Sequence, residues 1–263
     1  MLMSTALSKD GTGIAYDKIG NGTPLILVDG ALCYRSFGPM SKLSSLLSKD
    51  FTVFIYDRRG RGDSTDKKPY SPDREVEDID ALIREAGGSA SVFGISSGAA
   101  LALRAAEIKL NIPKLALYEP PYIFDAAAGG TPPNHESRLK DFLIEGNRTG
   151  AVQYFMRDMV GVPSFAVFMM RLMPMWKRLA AIAHTLPYDA AIMGDFAVPA
   201  ARIYSVKNPT LIAGGAKSAA NLRTAVQSVA DALPNKTVRF LEGQTHNVKP
   251  EVLAPVLTEF FKG

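Results

Sequence analysis

Ser96 is the side chain of this chain best addressed for chemistry. Gly94-Ile95-Ser96-Ser97-Gly98 sets it between two glycines, each two positions away, whereas Ser97 lacks that double relationship. The bare pattern is common, but here it closes an apolar, β-branched run and opens an Ala-rich stretch, which is where a strand turns into a helix. A nucleophile on such a turn needs small neighbours on both sides, because the backbone is strained and the side chain must project above the sheet edge. The helix N-terminus behind it favours developing negative charge.

Serine needs a base to take its proton, and histidine is the usual one. The chain has three histidines. His246 follows the last expected strand in Glu242-Gly243-Gln244-Thr245-His246-Asn247, a loop at the carboxyl edge of a sheet, where a base reaches Ser96. His135 and His184 fall in a helical stretch and read as surface or core residues. Cys33 is the only cysteine, which excludes an internal disulfide framework and a cysteine-built zinc site and points to a reducing compartment. It reads as a small buried packing residue.

The elements that must position these residues follow from the apolar pattern. Short runs at 25–28, 52–56, 91–95, 114–118, 210–213 and 237–241 have the character of buried parallel strands. Amphipathic stretches at 36–47, 73–86, 98–110, 219–233 and 251–261 read as helices between them. Strand alternating with helix implies an α/β fold, a mostly parallel central sheet covered by helices on both faces, with ligands at the carboxyl ends of the strands. After Tyr118 the rhythm breaks, and 121–195 reads as a helical insertion rich in methionine, with the only tryptophan, Trp176. The core is then expected to comprise 1–120 and 196–263. Methionine is adaptable, so Met156, Met159, Met170 and Trp176 are expected to roof an apolar pocket.

These features together resemble the α/β-hydrolase family along essentially the whole chain. The resemblance is carried by Asp29-Gly30-Ala31 after an early strand, Asp57-Arg58-Arg59-Gly60-Arg61-Gly62-Asp63-Ser64 after the next, the 94–98 elbow, the helical insertion and the late His246. It implies that the insertion is a lid, that the 57–64 segment is a structural turn, and that the backbone N–H groups of Ala31 and Ser97 hold an oxyanion. Two departures stand out. Most members of the family have His-Gly where this chain has Asp29-Gly30, and a carboxylate facing an oxyanion opposes catalysis, so Asp29 is expected to turn away, tied to backbone donors. Most also place an aspartate after the seventh strand, where this chain reads Ala213-Gly214-Gly215-Ala216-Lys217-Ser218. Glu119, at the end of the strand beside the nucleophile strand, is the substitute, as in lactonases of the zearalenone-degrading type. Asp125 and Asp195 are the alternatives.

The resemblance implies a cofactor-independent, metal-free serine hydrolase acting on a small to medium apolar carboxylic ester or lactone. Ser96 as nucleophile argues against dehalogenases and epoxide hydrolases, which use aspartate. A carbon–carbon bond hydrolase is the enzymatic alternative, and a ligand-binding or receptor protein on the same fold is the non-catalytic one. Composition fits a folded globular chain of 263 residues, with 47% hydrophobic and 21% charged residues. A net charge of +4 is scattered, and its densest cluster, Arg58 to Arg61, is bracketed by Asp57 and Asp63, so nucleic acid is not an expected partner. No apolar run suits a signal peptide or a transmembrane helix, so a cytoplasmic monomer or homodimer without membrane attachment is expected.

Overall fold

A computed structural model describes residues 4–124 and 131–263. Eight strands form one sheet in the order β1-β2-β4-β3-β5-β6-β7-β8. They are β1 (Ser4–Leu7), β2 (Gly13–Ile19), β3 (Thr23–Val28), β4 (Phe51–Tyr56), β5 (Ser91–Ile95), β6 (Leu115–Tyr118), β7 (Thr210–Gly215) and β8 (Lys236–Leu241). β1 and β2 run antiparallel to their neighbours, and β4 through β8 are joined by parallel pairings. Every residue of β4, β6 and β7 is buried, which is why these strands are unbroken apolar runs rather than alternating ones.

Alternate side chains of each strand enter two different cores, as the period of two requires. Ile26, Val28, Phe54, Val92, Leu117 and Ile212 face one side, against α2 (Pro72–Glu85), α3 (Ser97–Glu107) and α10 (Ala220–Ala232). Leu25, Leu27, Ile55, Phe93, Ala116 and Leu211 face the other, against α1 (Met40–Leu47) and α11 (Pro250–Lys262). The sheet is therefore covered on both faces, as the alternation of strand and helix predicts.

Two local differences from the sequence reading have physical causes. The helix expected from residue 36 begins at Met40, because Tyr34 and Phe37 exchange backbone hydrogen bonds and Pro39 follows. β1 and β2 are not anticipated by the apolar pattern: β1 buries only Ala6, so its apolar signal is too short to read, and the pairing with β2 supplies the order.

Between β6 and β7, among the described residues, the chain is helical. It comprises α4 (His135–Ile144), α5 (Arg148–Tyr154), a π-helical turn at Phe155–Met159, α6 (Ser164–Arg171), α7 (Met175–Ala181), a 3-10 turn at Ala183–Thr185, α8 (Leu186–Met193) and α9 (Ala200–Ile203). Asn134 and Asn147 cap α4 and α5 by accepting from the backbone N–H groups of Ser137 and Gly150, which lack an intrahelical partner. No helix of the described residues is long and apolar enough to cross a membrane.

Candidate active site

Ser96 occupies the turn between β5 and α3 with φ 56° and ψ −130°, a strained conformation for a residue with a side chain. The flanking glycines are dictated by close approach. A Cβ at position 94 would lie 2.4 Å from the Gly98 carbonyl oxygen, and one at position 98 would lie 2.4 Å from that of Val28. The loop after β3 runs against the same turn, since a Cβ at Gly30 would sit 3.1 Å from that of Ser96.

Strand register brings the second residue to the site. Ile95 pairs with Tyr118, and Tyr118 with Ala213. The next residues, Ser96 and Glu119, extend the same ladder: Ser96 N–H donates to the Tyr118 carbonyl at 2.9 Å, and Glu119 N–H to the Ala213 carbonyl at 3.0 Å. Glu119, like Ser96, is left-handed, with φ 47°, and it is fully buried. Its Oε1 accepts from the Gly215 N–H at 2.7 Å and the Ser218 hydroxyl at 2.5 Å, and its Oε2 lies 2.7 Å from His246 Nδ1.

Burial pushes the Glu119 carboxyl up, but the hydrogen bonds from His246, Ser218 and Gly215 outweigh it and hold the group below its ordinary value. In the neutral tautomer whose Nδ1–H donates to that carboxylate, Nε2 is the acceptor nitrogen. The loop after β7 carries no carboxylate of its own; Gly215 and Ser218 supply donors to Glu119 instead. Asp195, the described alternative, is exposed and accepts from the Ala197 N–H; Asp125 lies outside the described residues. The His246 loop is fastened by the Tyr118 hydroxyl, which donates to the Thr245 carbonyl at 2.7 Å, and by Gln244 Oε1, which accepts from Lys249 N–H.

Ser96 and His246 both line two adjoining cavities of about 380 Å³ and about 280 Å³, and Ala31, Phe155 and Val160 border both. Among the described residues no hydrogen bond joins Ser96 to His246, a contact that commonly tightens only with substrate in place. The π-helical turn delivers Met159 to the larger cavity and Met156 to the smaller. Trp176 and Met170 are not among the residues lining either cavity: Trp176 is buried in the core of the helical segment, and Met170 packs on that core half-buried. His135 hydrogen-bonds the Tyr154 hydroxyl through Nδ1, packs edge-on against Phe196 and lines neither cavity.

Asp29 is tied to a backbone donor by one oxygen only. Oδ1 accepts from the Gly30 N–H at 2.9 Å, while Oδ2 is buried without a partner, and the residue borders the smaller cavity. Burial pushes its carboxyl up to about 7, overriding the opposing pull of the Gly30 amide, Arg61 and Arg58. With its carboxyl near 7 the group is about half protonated at neutral pH, which lessens the repulsion that a full carboxylate would exert there. Burial and the neighbouring Asp29 raise the Cys33 thiol well above its usual range, so it is a poor nucleophile.

Asp189 is a functional-site candidate that the sequence reading missed. Its Oδ1 accepts from Arg58 Nη1 and from the Ser97 hydroxyl, and its Oδ2 from Arg61 Nη2, each at 2.7 Å. Arg58 is held from its other side by Glu75, through Nε at 2.7 Å and Nη2 at 2.9 Å. Burial pushes the Asp189 carboxyl up, but Arg61 and Arg58 prevail and hold it below its usual value. One signal was present in the sequence: Leu186-Pro187-Tyr188-Asp189-Ala190-Ala191-Ile192-Met193 is otherwise apolar or aromatic all round, so its lone carboxylate enters the core and needs a cationic partner.

A sequence profile of the alpha/beta hydrolase family matches residues 20–256, and the chain belongs to that family. An alpha/beta hydrolase from Sphaerobacter thermophilus DSM 20745 is 50% identical, with a TM-score of 0.91 over 98% of this chain and 100% of that one. Two more distant structures share the fold: an enol-lactonase from Burkholderia xenovorans LB400 (20% identity, TM-score 0.71, 99% and 100% of the two chains) and a meta-cleavage product hydrolase from Pseudomonas fluorescens IP01 (18%, 0.68, 98% and 97%). A search among curated proteins found no match.

Proposed function

We propose that the protein is a serine hydrolase that cleaves small to medium apolar carboxylic esters or lactones through an acyl-enzyme. The observation that carries this reading is the 2.7 Å contact between Glu119 Oε2 and His246 Nδ1, beside a serine held at φ 56° on the same cavity wall. Ser96 Oγ attacks the carbonyl carbon and its proton passes to His246 Nε2, while Glu119 fixes the tautomer and stabilises the imidazolium. The carbonyl oxygen, now negative, accepts from the N–H groups of Ala31 and Ser97. Collapse expels the alkoxide, which takes the proton from His246, and water repeats the sequence to release the acid and free Ser96.

Two adjoining cavities with the serine between them suit the acyl and alcohol parts of one ester. Phe155 and Val160 give both an apolar wall, in keeping with the helical segment acting as a lid over 121–195. The enol-lactonase likeness supports an ester-type bond, whereas the meta-cleavage likeness keeps carbon–carbon cleavage as the competing chemistry. A fluorophosphonate probe is expected to label the wild-type protein and not Ser96→Ala. Turnover of aryl esters and lactones in preference to dienone substrates is the expected second result. A folded protein that resists the probe overturns the serine mechanism, and preference for dienones overturns the bond assignment.

A further inference from the structure

The buried cluster around Asp189 reaches the backbone on both sides of Ser96. Arg61 Nη1 donates to the Gly30 carbonyl at 2.6 Å and to that of Cys33 at 3.3 Å. Arg58 Nη1 donates to the Asp29 carbonyl at 3.3 Å and to the Ser97 hydroxyl at 3.4 Å. The two guanidiniums converge on one carboxylate, Asp189, which also takes the Ser97 hydroxyl. Asp189, Arg58, Arg61 and Ser97 are all buried.

The consequence lies in the peptide plane. The Gly30 carbonyl and the Ala31 N–H belong to one rigid trans unit and point in opposite directions, so fixing the oxygen aims the hydrogen. A guanidinium on that oxygen also polarises the amide and makes its N–H a stronger donor. On the other side, Ser97 opens α3, and its side chain is clamped to Asp189 at the point where its own N–H must face the oxyanion.

We propose that Asp189 is a positioning residue for the oxyanion-binding amides, aiming Ala31 N–H through Arg61 and the Gly30 carbonyl and holding Ser97 directly. The proposal rests on the serine-hydrolase reading and deepens it. It gives α8, a helix of the segment between β6 and β7 whose apolar residues share the buried core with α3, a defined part in catalysis: α8 seats the carboxylate, and the carboxylate sets the donors. Substrate in the ground state makes little use of these donors, while the tetrahedral oxyanion depends on them, so the effect of losing Asp189 falls on kcat rather than KM.

The test uses p-nitrophenyl butyrate turnover, inhibition by an alkylboronic acid as a tetrahedral mimic, and thermal melting. Ser97→Ala keeps the amide and removes the clamp; Arg61→Lys keeps the charge and removes the donor fork to Gly30; Asp189→Asn removes the carboxylate. Each is expected to lower kcat by about tenfold to a hundredfold, less than or comparable to outright loss of an oxyanion donor, with KM nearly unchanged and the boronic acid weakened in parallel. Arg59→Lys, at a buried pair with Asp78 that touches neither loop of the site, is expected to lower the melting temperature and leave kcat and inhibition unchanged. Asp189→Asn exposes two guanidiniums to a single remaining carboxylate, so if it fails to fold the other two variants carry the test. Folded Ser97→Ala and Arg61→Lys with wild-type kcat and inhibition, alongside an inactive Ser96→Ala, overturn the positioning role alone. An active Ser96→Ala overturns the serine reading and this inference together.

Discussion

The two walls of the cavity are built on different principles. One wall consists of strand ends: Ser96, with Glu119 buried behind it, and the loops after β3, β7 and β8, held by the sheet register and by backbone so close that a single Cβ at position 94 or 98 collides. The other wall is helical and apolar, supplied by Phe155, Met156, Met159 and Val160 from a π-helical turn and its flank. Its outer side leaves Phe165, Phe168, Leu172 and Met173 exposed. The difference is one of precision. Polar chemistry depends on donor and acceptor placement to a fraction of an ångström, which hydrogen-bonded strand ends provide. Apolar contact is non-directional, and flexible side chains provide it adequately. Asp189 is the exception on the helical side, a charged group fixed by three hydrogen bonds of 2.7 Å.

The contrast is open to attack first at Glu119. Glu119→Gln keeps the shape of the side chain and loses the charge that stabilises the imidazolium in the proposed mechanism, so turnover is expected to fall about 10³- to 10⁴-fold with the fold retained, by analogy with the asparagine substitution in serine-protease triads. Steady-state kinetics with circular dichroism decides it. Turnover within a few-fold of wild type assigns the acid elsewhere and removes the strand-end wall's claim to the chemistry.

Asp29 tests whether the strand-end wall carries a cost as well as precision. Its carboxyl rises from an ordinary 3.8 to about 7, so the native state binds more protons than the unfolded chain between those values, and stability falls as pH rises through that window. Asp29→Asn lacks this loss while keeping an acceptor for the Gly30 N–H. Its advantage in thermal and denaturant stability over wild type is expected to be larger at pH 8 than at pH 4, with an upper limit of about 4 kcal/mol from the size of the shift. A difference that is flat with pH, or that runs the other way, means that Asp29 is ionised and compensated in the fold.

The smallest effect is expected on the outer helical face. Phe165→Ser and Phe168→Ser remove exposed side chains, so each is expected to change stability by about 0.5 kcal/mol or less and leave ester turnover unchanged. Denaturation midpoints check this. A loss of several-fold larger size shows that α6 is covered in solution, by closure over the site or by a second copy of the chain.

The sequence exposed the parts of the molecule whose constraints are local. The 94–98 elbow is legible because the strand-to-helix turn at Ser96 forbids a Cβ on either side, and β4, β6 and β7 are legible because burial on both faces makes them uniformly apolar. Glu119 is legible only through the absence of an acid after β7, and its pairing with His246 spans 127 positions in the chain. β1 escapes the pattern because four residues with one buried side chain carry too little signal. Of the four side chains expected to roof the pocket, Met156 and Met159 border the cavities while Met170 and Trp176 do not, since apolar residues of one helical segment look alike until their packing assigns them a side.

What the sequence determined by itself was the fold class, together with the groups to be proposed for the chemistry: a strained serine, a late histidine and a carboxylate at a strand end. Residue type and spacing suffice for that because backbone sterics and burial act over a few neighbours. The tertiary structure decided what surrounds them. It turned Gly215 and Ser218 into the donors that hold Glu119, left Asp29 buried with one oxygen unpartnered, and brought Asp189 from more than ninety residues away to the Ser97 hydroxyl. These arrangements depend on which buried charges meet at a shared interior, and only the folded chain sets those distances.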